Sequence, residues 1–452
     1  MVQFVVNFDT LCLLWRCPSA LHSLSMLLKR CILPEEGDNL KVNEGIARKI
    51  TRTLFLSQSA VSAALITTGT VNAIAGAELS GVIAWAGLPA TVLLLSAALG
   101  ALTWGILMER IGRRGGLVIG LAMGALAGLL SGAALWRGSF PLFLFGMGMF
   151  GFAQAAMQLG RFAAAEVNPA EKRGRAIANV VLGGTVGSIL GPLLVGPAVI
   201  LAIRSGFGEL VGPYGASLVL FAIGAAIVYV WLRPDPLEVA KELALQEQAN
   251  HWKSASIRSV TEILRQPGVL VAILAMVIGQ AVMVMVMVIT SLHMKALGHP
   301  LSSISIVIAA HTFGMFAFSI ISGRLVDRIG REPVIMLGSA ILILAGLSAG
   351  LSAEVLPIAI SLFLLGLGWN LCYVGGSTLL TDQLSTAEQS RMQGVNDLFV
   401  GLASAVGSLG SGFVFAAVGF QVMGFVGAAI AILPLVVALW WMRNPARLLA
   451  AA

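Results

Sequence analysis

The chain has 452 residues, of which 58% are hydrophobic and 11% are charged, and its mean hydropathy is +0.93. Soluble domains carry about 25% charged residues, so this composition excludes a protein whose surface faces mainly water. The apolar runs are continuous rather than alternating, which excludes a membrane β-barrel. The sequence therefore predicts an all-α membrane protein.

Residues 1–50 are predicted to form an N-terminal cytoplasmic extension. Their apolar runs are short and are interrupted by Arg16, Pro18 and Lys29, so no membrane span is predicted there. Two interpretations stay open for this segment. It is either a peripheral helical extension or a stretch that precedes the true start of translation.

Twelve apolar runs follow, each close to the roughly 20 residues that a transmembrane helix needs. We number them spans 1 to 12: 53–76, 84–107, 115–136, 140–160, 177–202, 214–232, 267–291, 302–323, 334–352, 355–380, 394–418 and 420–442. The longest polar stretch, 233–265, is predicted to be a cytoplasmic linker, and 444–452 a cytoplasmic tail. The connections are too short to hold a soluble domain.

Lysine and arginine residues are concentrated on one predicted side of the membrane. Of the 28 in the chain, only Arg137, Arg204 and Lys295 fall on the other side when the spans alternate in direction. Basic residues mark the cytoplasmic side, which predicts a multi-pass protein of the plasma membrane with both termini in the cytoplasm. The net charge of +7 is then an insertion signal, and no nucleic-acid partner is expected.

Two charged, glycine-rich stretches interrupt the apolar pattern at matching places. GILMERIGRRGG occupies 105–116 and GRLVDRIGREP occupies 323–333, an offset of 218 residues. The same offset of 218 residues recurs elsewhere in the chain. It relates Arg173, Asn179 and Gly183 to Arg391, Asp397 and Gly401. One offset in separate helices predicts two six-helix halves, 51–232 and 266–443, repeated about an axis along the membrane normal.

The two stretches resemble the signature that follows helix 2 in major facilitator superfamily (MFS) transporters, Gly-x-Leu-x-Asp-Arg-x-Gly-Arg-Arg/Lys. The matching residues are Gly105, Glu109, Arg110, Gly112, Arg113 and Arg114, and then Gly323, Asp327, Arg328, Gly330 and Arg331. Glu109 stands where the family usually has aspartate. The resemblance covers about residues 50–445 and implies the MFS fold, with twelve transmembrane helices in two pseudo-symmetric six-helix bundles.

The resemblance also implies that these loops form a conformational lock on the cytoplasmic side. Glu109 and Asp327 are expected near the N-terminus of a neighbouring helix, where a carboxylate is stabilised by roughly 0.3–1 kcal/mol. The arginines are expected to bridge to carboxylates across the interface between the halves. The alternative is that the arginines only enforce the orientation in the membrane.

Span 5 places Gly183, Gly187 and Gly191 on one helix face, followed by Pro192, which is expected to bend the helix. This pattern resembles the antiporter signature of the family and favours export, although Val195 replaces one of its glycines. A seam of small residues for helix packing is the alternative. The arginine signature that the family's drug–proton antiporters carry in helix 4 is missing.

Polar residues inside the spans are the candidates for the cavity and the substrate site, because polar groups at membrane depth face a cavity or another helix. Gln154, Gln158 and Arg161 share one face of span 4 and either line the cavity or bond to other helices. The further candidates are Asn72, Gln280, His311, Trp369, Asn370 and Tyr373. Within that set, Asn370 and Tyr373 are expected to share a face.

His311 and Asp397 are the candidates for proton coupling. Histidine titrates closest to neutral pH, and Gly314 leaves room beside His311 for a ligand or water. The alternative is a hydrogen-bonded packing histidine. Asp397 is expected near the N-terminus of span 11, which would stabilise its charge.

The leading hypothesis is a secondary active transporter of small molecules that works by alternating access and couples efflux to protons. An importer or facilitator of a small organic metabolite is the alternative. A membrane-embedded enzyme or a sensor is less well supported. The sequence shows no catalytic or metal-ligand set, and the linker is too small for a signalling domain.

No cofactor and no metal are expected. The sequence has no Gly-Lys pair of the kind found in phosphate-binding P-loops, and its four cysteines lack metal-ligand spacing. Transport is therefore expected to run on a gradient of protons or another ion. The expected partners are a small-molecule substrate, that gradient and the lipid bilayer, with the chain acting as a monomer.

Overall fold

The computed structural model of the protein describes residues 36–247 and 258–443. The regular elements in these ranges are helices, because lipid leaves backbone polar groups no partner except the chain itself. The α-helices are α1 (Glu36–Gly69), α2 (Asn72–Ser80), α3 (Leu88–Ile111), α4 (Arg113–Arg137), α5 (Phe140–Glu166), α6 (Ala170–Leu193), α7 (Val195–Arg204), α8 (Val211–Trp231), α9 (Pro236–Glu247), α10 (Val260–Leu264), α11 (Pro267–Ala296), α12 (Leu301–Phe316), α13 (Ser319–Ile329), α14 (Arg331–Ser348), α15 (Val355–Asp382) and α16 (Thr386–Met442).

The described residues contain ten helical stretches that are long and apolar enough to cross a membrane. The number is eleven when α1 and α2, which meet at 43°, count as one crossing. Helix α16 has 57 residues and is interrupted by non-helical backbone at Gly419. Its length of about 85 Å is nearly three times the roughly 30 Å hydrocarbon core of a bilayer. Spans 11 and 12 lie on either side of Gly419, and counting them separately gives the twelve crossings that the sequence predicts.

Three of the twelve spans consist of two helices each in the structure. Span 1 stops at Gly69 and resumes at Asn72, and span 5 divides between α6 and α7. Span 8 divides after Phe316 and continues to Ile329, six residues beyond its predicted end. The break in span 5 lies beside Pro192, where the sequence predicts a bend.

Each break lies beside an altered backbone hydrogen-bonding pattern. Pro192 removes a backbone donor in the last turn of α6. Near the end of α1, the hydroxyls of Thr67 and Thr70 donate to backbone carbonyls one turn earlier, which competes with the regular helix ladder. In span 8, the side-chain amide of Asn370 donates to the carbonyl oxygen of Met315 at 2.6 Å, so a carbonyl at the break keeps a partner.

The predicted extension and linker are only partly covered. Residues 1–35, 248–257 and 444–452 lie outside the described residues. Helix α1 begins inside the predicted extension and runs into span 1 without a break. We call α1–α8 the first half and α11–α16 the second half. The motif side is the side of the membrane on which the loops at Gly112 and Gly330 lie, and the far side is the opposite one.

The backbone repeats between the halves. Gly112 and Gly330, 218 positions apart, have φ angles of 84° and 93°, which glycine adopts without steric cost. A second equivalence links the packing of α5 to that of α15. Gly151 packs against the backbone of Leu93, and Gly366 packs in the same way against the backbone of His311. Leu93 and His311 are also 218 positions apart.

The glycines of span 5 form a packing seam inside the first half. Gly183 and Gly187 face the backbone of α1 so closely that a Cβ on either would overlap a carbonyl oxygen. At Gly191 an added Cβ would lie 2.7 Å from the carbonyl oxygen of Ala63, and the Thr67 hydroxyl donates to the Gly191 carbonyl at 2.8 Å. The geometry therefore shows the packing role, while the link to export stays a prediction.

We predict that Gly183→Ala lowers the thermal stability of the protein, because the new Cβ would overlap the Phe55 backbone of α1. Overpacking of this kind costs roughly 1–3 kcal/mol. Gly401→Ala is the matched control, since an added Cβ there has nothing within 4 Å and alanine favours a helix interior by about 0.5–1 kcal/mol. Thermal unfolding in detergent measures both, and equal melting temperatures would contradict the seam.

Candidate transport site

The carboxylate at the first motif loop comes from Asp235, not from Glu109. Its two oxygens accept hydrogen bonds from the backbone N–H groups of Arg113 (3.1 Å) and Arg114 (3.0 Å), the first residues of α4. Gly112 has no side chain, so the Asp235 carboxylate occupies space that a Cβ would fill. Asp235 therefore takes the place at a helix N-terminus that the sequence analysis gave to Glu109.

Two arginine side chains of the loops bind carboxylates within their own halves. Arg113 makes two bonds to Glu166, at 2.7 and 3.0 Å, and so ties α4 to α5. Arg331 pairs with Asp382 at 2.7 Å and ties α14 to α15. In this structure neither Arg113 nor Arg331 bridges the two halves.

A third loop arginine, Arg114, donates to the Tyr229 carbonyl of α8 at 2.7 Å. Four other charged residues of the loops, Glu109, Arg110, Asp327 and Arg328, are exposed. Within the described part of the chain, none of these four side chains makes a hydrogen bond or ion pair. Gly105 and Gly323 have open space where a side chain would lie. In this conformation the loops are bound to their own halves, and the lock stays a prediction.

The two halves meet closely at the far side. The Ser408 hydroxyl of α16 donates to the Gly87 carbonyl at 2.9 Å. Gly87 lies so close to Ser408 that a side chain at Gly87 would overlap the Ser408 carbonyl. Lys295 of the second half forms an ion pair with Glu209 of the first half. Close backbone packing and an ion pair therefore hold the far side together.

An amide and two aromatic rings lie where α11, α15 and α16 meet. The indole N–H of Trp369 donates to Gln280 Oε1 at 2.6 Å, and Gln280 Nε2 donates to Ser404 Oγ at 2.9 Å. Tyr373, one turn beyond Trp369, stacks on the indole with ring centroids 5.1 Å apart. Gln280, Trp369 and Tyr373 are all partly exposed, so the group is fixed by hydrogen bonds and still accessible.

An ion pair joins the two halves beside these rings. Arg161 Nη2 lies 2.8 Å from Asp397 Oδ2, with side chains 29% and 33% exposed. Gln393 donates to the other carboxylate oxygen at 2.9 Å, and Tyr373 lies within electrostatic reach of both charges. We call the following residues the interface belt: Arg161, Gln280, Trp369, Tyr373, Gln393, Asp397 and Ser404.

One hydrogen-bond donor of Arg161 is unpaired among the described residues. Its Nε is buried and has no hydrogen-bond partner among the described residues. Gln158 and Gln154, one and two turns earlier on the same face of α5, are exposed and partly exposed. Arg161 thus forms an interhelical bond, whereas cavity lining by Gln154 and Gln158 stays a prediction.

Three residues predicted for the site lie in the packed interior of a single half. Asn72 Oδ1 accepts a hydrogen bond from the Tyr214 hydroxyl at 2.7 Å. Asn370 bonds to the backbone at the break in span 8, as described above. His311 is fully buried, and its Nδ1 lies 2.9 Å from the Leu362 carbonyl oxygen. The structure brings none of the three into the interface belt.

Tyr373 is paired with Trp369 and not with Asn370, contrary to the expected shared face. Successive residues of a helix are 100° apart, so positions i and i+4 differ by only about 40°. Trp369 and Tyr373 have this spacing and project together into the belt. Asn370 is rotated towards α12 and α13, where its amide is used at the helix break.

The position of Asp397 also differs from the prediction. Helix α16 begins at Thr386, where Ser385 and Glu388 form a capping box. Asp397 therefore lies about 16 Å inside the helix, and its charge is balanced by Arg161 instead of the helix N-terminus.

Five residues of the motif loops and the interface belt were not singled out from the sequence: Glu166, Asp235, Asp382, Gln393 and Ser404. Gln393 and Ser404 belong to a polar stripe with Asp397 and Ser408 that follows helical spacing along α16, and this spacing could have revealed them. Asp235 carries no such signal. Only the tertiary fold brings it to the start of α4.

The family model described as Major Facilitator Superfamily matches residues 54–303 and 281–451. The chain belongs to the Major Facilitator Superfamily. It is a multi-pass membrane transporter and not an enzyme, as the sequence analysis predicted.

Several curated proteins are similar to this MFS transporter. The uncharacterized MFS-type transporter YdeG of Bacillus subtilis (strain 168) is 31% identical over 86% of this chain and 91% of the relative. The riboflavin transporter RfnT of Brucella anthropi is 29% identical over 82% of this chain and 90% of the relative. The multi-drug resistance efflux pump PmrA of Streptococcus pneumoniae is 26% identical over 75% and 81%.

The fold is shared with solved MFS structures. A D-xylose-proton symporter has a TM-score of 0.63 and 16% identity, with 87% of this chain and 96% of that chain covered. At this identity the likeness concerns the fold alone.

Arg258 connects the second half to the polar segment that precedes this half in the sequence. The Arg258 guanidinium donates to both oxygens of Glu388, at 2.7 and 2.8 Å, at the start of α16. The Glu388 side chain is only 1% exposed. These bonds hold the pKa of the Glu388 carboxyl far below its usual range, and they raise the pKa of Arg258.

We predict that Asp235→Ala destabilises the protein by about 1 kcal/mol, the typical effect of losing a carboxylate that caps a helix. The first amides of α4 would lose their acceptor. Glu109→Ala is the matched control and should change stability by less than about 0.5 kcal/mol, because Glu109 is exposed. Chemical or thermal unfolding measures both, and an equal loss in the two variants would contradict the assignment of Asp235.

A pH dependence is predicted from Glu388. Its folded-state pKa is lowered, so its stabilisation is fully present above the ordinary glutamate pKa of about 4.3 and is lost as the pH falls from there towards the folded-state pKa. Melting temperatures measured across this acid range should fall more steeply for the parent than for Glu388→Gln. Parallel curves would show that the Arg258–Glu388 pair does not contribute.

Proposed function

We propose that this MFS transporter exports a small amphipathic organic molecule across the plasma membrane in exchange for protons. The motif side is the cytoplasmic side in this proposal, because the basic residues of the sequence are concentrated there. The chain acts as a monomer. Its halves, 51–232 and 266–443, rock against each other about the interface belt to give alternating access.

The Arg161–Asp397 ion pair is the observation that carries the proposal. Here a titratable carboxylate of one half faces a fixed positive charge of the other half at 2.8 Å. A proton on Asp397 removes its negative charge, so the attraction between the halves at this point is weakened. Proton binding is thereby linked to the contact that alternating access must change.

Exchange follows when substrate and proton compete for Asp397. A substrate N–H or amine group makes a charge-assisted hydrogen bond to the ionised carboxylate. A protonated carboxyl group no longer offers that acceptor. Because one ligand excludes the other, protons that enter down their gradient drive the substrate out.

The belt favours an amphipathic substrate with a flat apolar part. The rings of Trp369 and Tyr373 offer aromatic surface, and Gln280 offers an amide at its edge. The names of the relatives RfnT, a riboflavin transporter, and PmrA, a multi-drug efflux pump, support a substrate of this class.

Import coupled to protons is the second candidate, and the free donor of Arg161 favours it. Protonation of Asp397 would release the guanidinium, which already has a buried Nε without a partner among the described residues. An anionic or acceptor-rich substrate could then bind Arg161 together with the proton at Asp397. The two ligands would move in the same direction.

We assign the coupling role to Asp397 instead of His311. A coupling group must exchange protons with both sides of the membrane, and the Asp397 side chain is 33% exposed. His311 is fully enclosed between α12 and α15. We therefore propose the packing role for His311.

The test is transport in sealed proteoliposomes with an imposed pH gradient, with a substrate found by a thermal-shift screen of metabolites and drugs. Exchange predicts that the parent accumulates substrate in the acidic compartment. Asp397→Asn should reduce accumulation to the level without a gradient. His311→Gln should keep it, and so should the control Glu242→Gln, which neutralises an exposed carboxylate of α9. Accumulation by Asp397→Asn that still follows the gradient would overturn the coupling role. Accumulation in the alkaline compartment would replace export by import.

A further inference from the structure

A cavity on the motif side lies away from the interface belt. Its volume is about 360 Å³, and it is lined by one face of α1 and the end of α8: Gly45, Arg48, Lys49, Arg52, Thr53, Leu56 and Trp231. This volume falls in the range of about 300–1,000 Å³ that is usual for sites of small ligands. Nothing in the transport cycle proposed above uses it.

Three cations on two successive turns of α1 line this cavity: Arg48, Lys49 and Arg52. The nearby carboxylates are engaged elsewhere. Glu44, which lies within electrostatic reach of Arg48, is bound by Lys172 at 2.6 Å, and Asp235 accepts from the backbone amides of α4. Within the described ranges, Arg48 and Arg52 have no side-chain carboxylate in an ion pair. The cavity therefore keeps its positive charge.

The membrane-facing end of the cavity is apolar and exposed. Leu56 is 43% exposed and Trp231 is 49% exposed. Leu56 lies seven residues after Lys49, about 10 Å further along the helix into the membrane. The cavity thus spans the level where lipid headgroups meet acyl chains, and tryptophan is enriched at that level.

We propose that this cavity binds the phosphate of an anionic glycerophospholipid from the leaflet on the motif side. Arg48 and Arg52 bind the phosphate oxygens, for which guanidinium groups have matching donor geometry. Lys49, which also donates to the Arg233 carbonyl at 3.2 Å, adds positive charge. The acyl chains lie against Leu56 and Trp231.

A lipid fits this cavity better than free phosphate does. Both supply the same anionic oxygens, but only a lipid has acyl chains to cover the apolar wall. Basic residues beside a membrane attract anionic lipids, and here the cations and the apolar wall belong to one cavity. A lipid in this position contacts both α1 and α8, the first and last helices of the first half, and holds them together.

The experiment is native mass spectrometry of the purified full-length protein in detergent. Dioleoylphosphatidylglycerol, dioleoylphosphatidylcholine and inorganic phosphate are each added at matched concentrations. The parent should retain phosphatidylglycerol in preference to phosphatidylcholine. Arg48→Gln/Arg52→Gln should lose most of that retention, whereas the control Lys241→Gln/Arg265→Gln, which removes two exposed cations outside the cavity, should keep it.

Three results would overturn the proposal. The first is equal retention of the two lipids by the parent, a comparison that does not depend on any variant folding. The second is an equal loss of phosphatidylglycerol in the two double variants, which would mean that only overall charge matters. The third is displacement of phosphatidylglycerol by an equal concentration of inorganic phosphate, which would make free phosphate the ligand.

Discussion

Close backbone contact between helices is the constraint on which this structure depends. In lipid, apolar side chains gain little by meeting one another, so helices associate through tight packing and internal hydrogen bonds. Gly183 makes such a contact with the backbone of α1, Gly366 with that of α12, and Gly87 with that of α16 across the two halves. The same device builds each half and closes the far side.

The fold was predictable because the length and hydrophobicity of each local run of residues largely determine it. A run of about 20 apolar residues must become a helix in a bilayer, and the glycines at 112 and 330 mark two helix reversals. The positions of the helix breaks were harder to predict from the sequence. Pro192 signalled one of them, but the break in span 8 involves the amide of Asn370, which lies on another helix. A contact between distant segments leaves no periodic trace in either segment.

The sequence predicted several residues of the site, but it did not predict which of them contact each other. The sequence identified Arg161, Gln280 and Trp369 because polar or amphipathic groups in a span need a reason to be there. It could not say that Arg161 meets Asp397, since the two are 236 residues apart. It also assigned the helix-terminal carboxylate to Glu109, which is near in sequence, when Asp235 is the residue near in space.

The repeat separates the residues that build the fold from those of the belt. Gly151 and Gly366 make equivalent contacts with the backbones of Leu93 and His311, so they fix the correspondence between α5 and α15.

Counted from these two glycines, Gln158 corresponds to Tyr373 and Arg161 to Gly376. The positions of the belt therefore carry different chemistry in the two halves: amide and cation on one side, aromatic ring and glycine on the other. His311 holds the position of Leu93 and presents its carbonyl to the matching glycine, which is a packing role. Symmetry between the halves maintains the scaffold. The cross-half pair of Arg161 and Asp397 has no symmetric counterpart, because Gly376 and Asn179 stand at the equivalent positions.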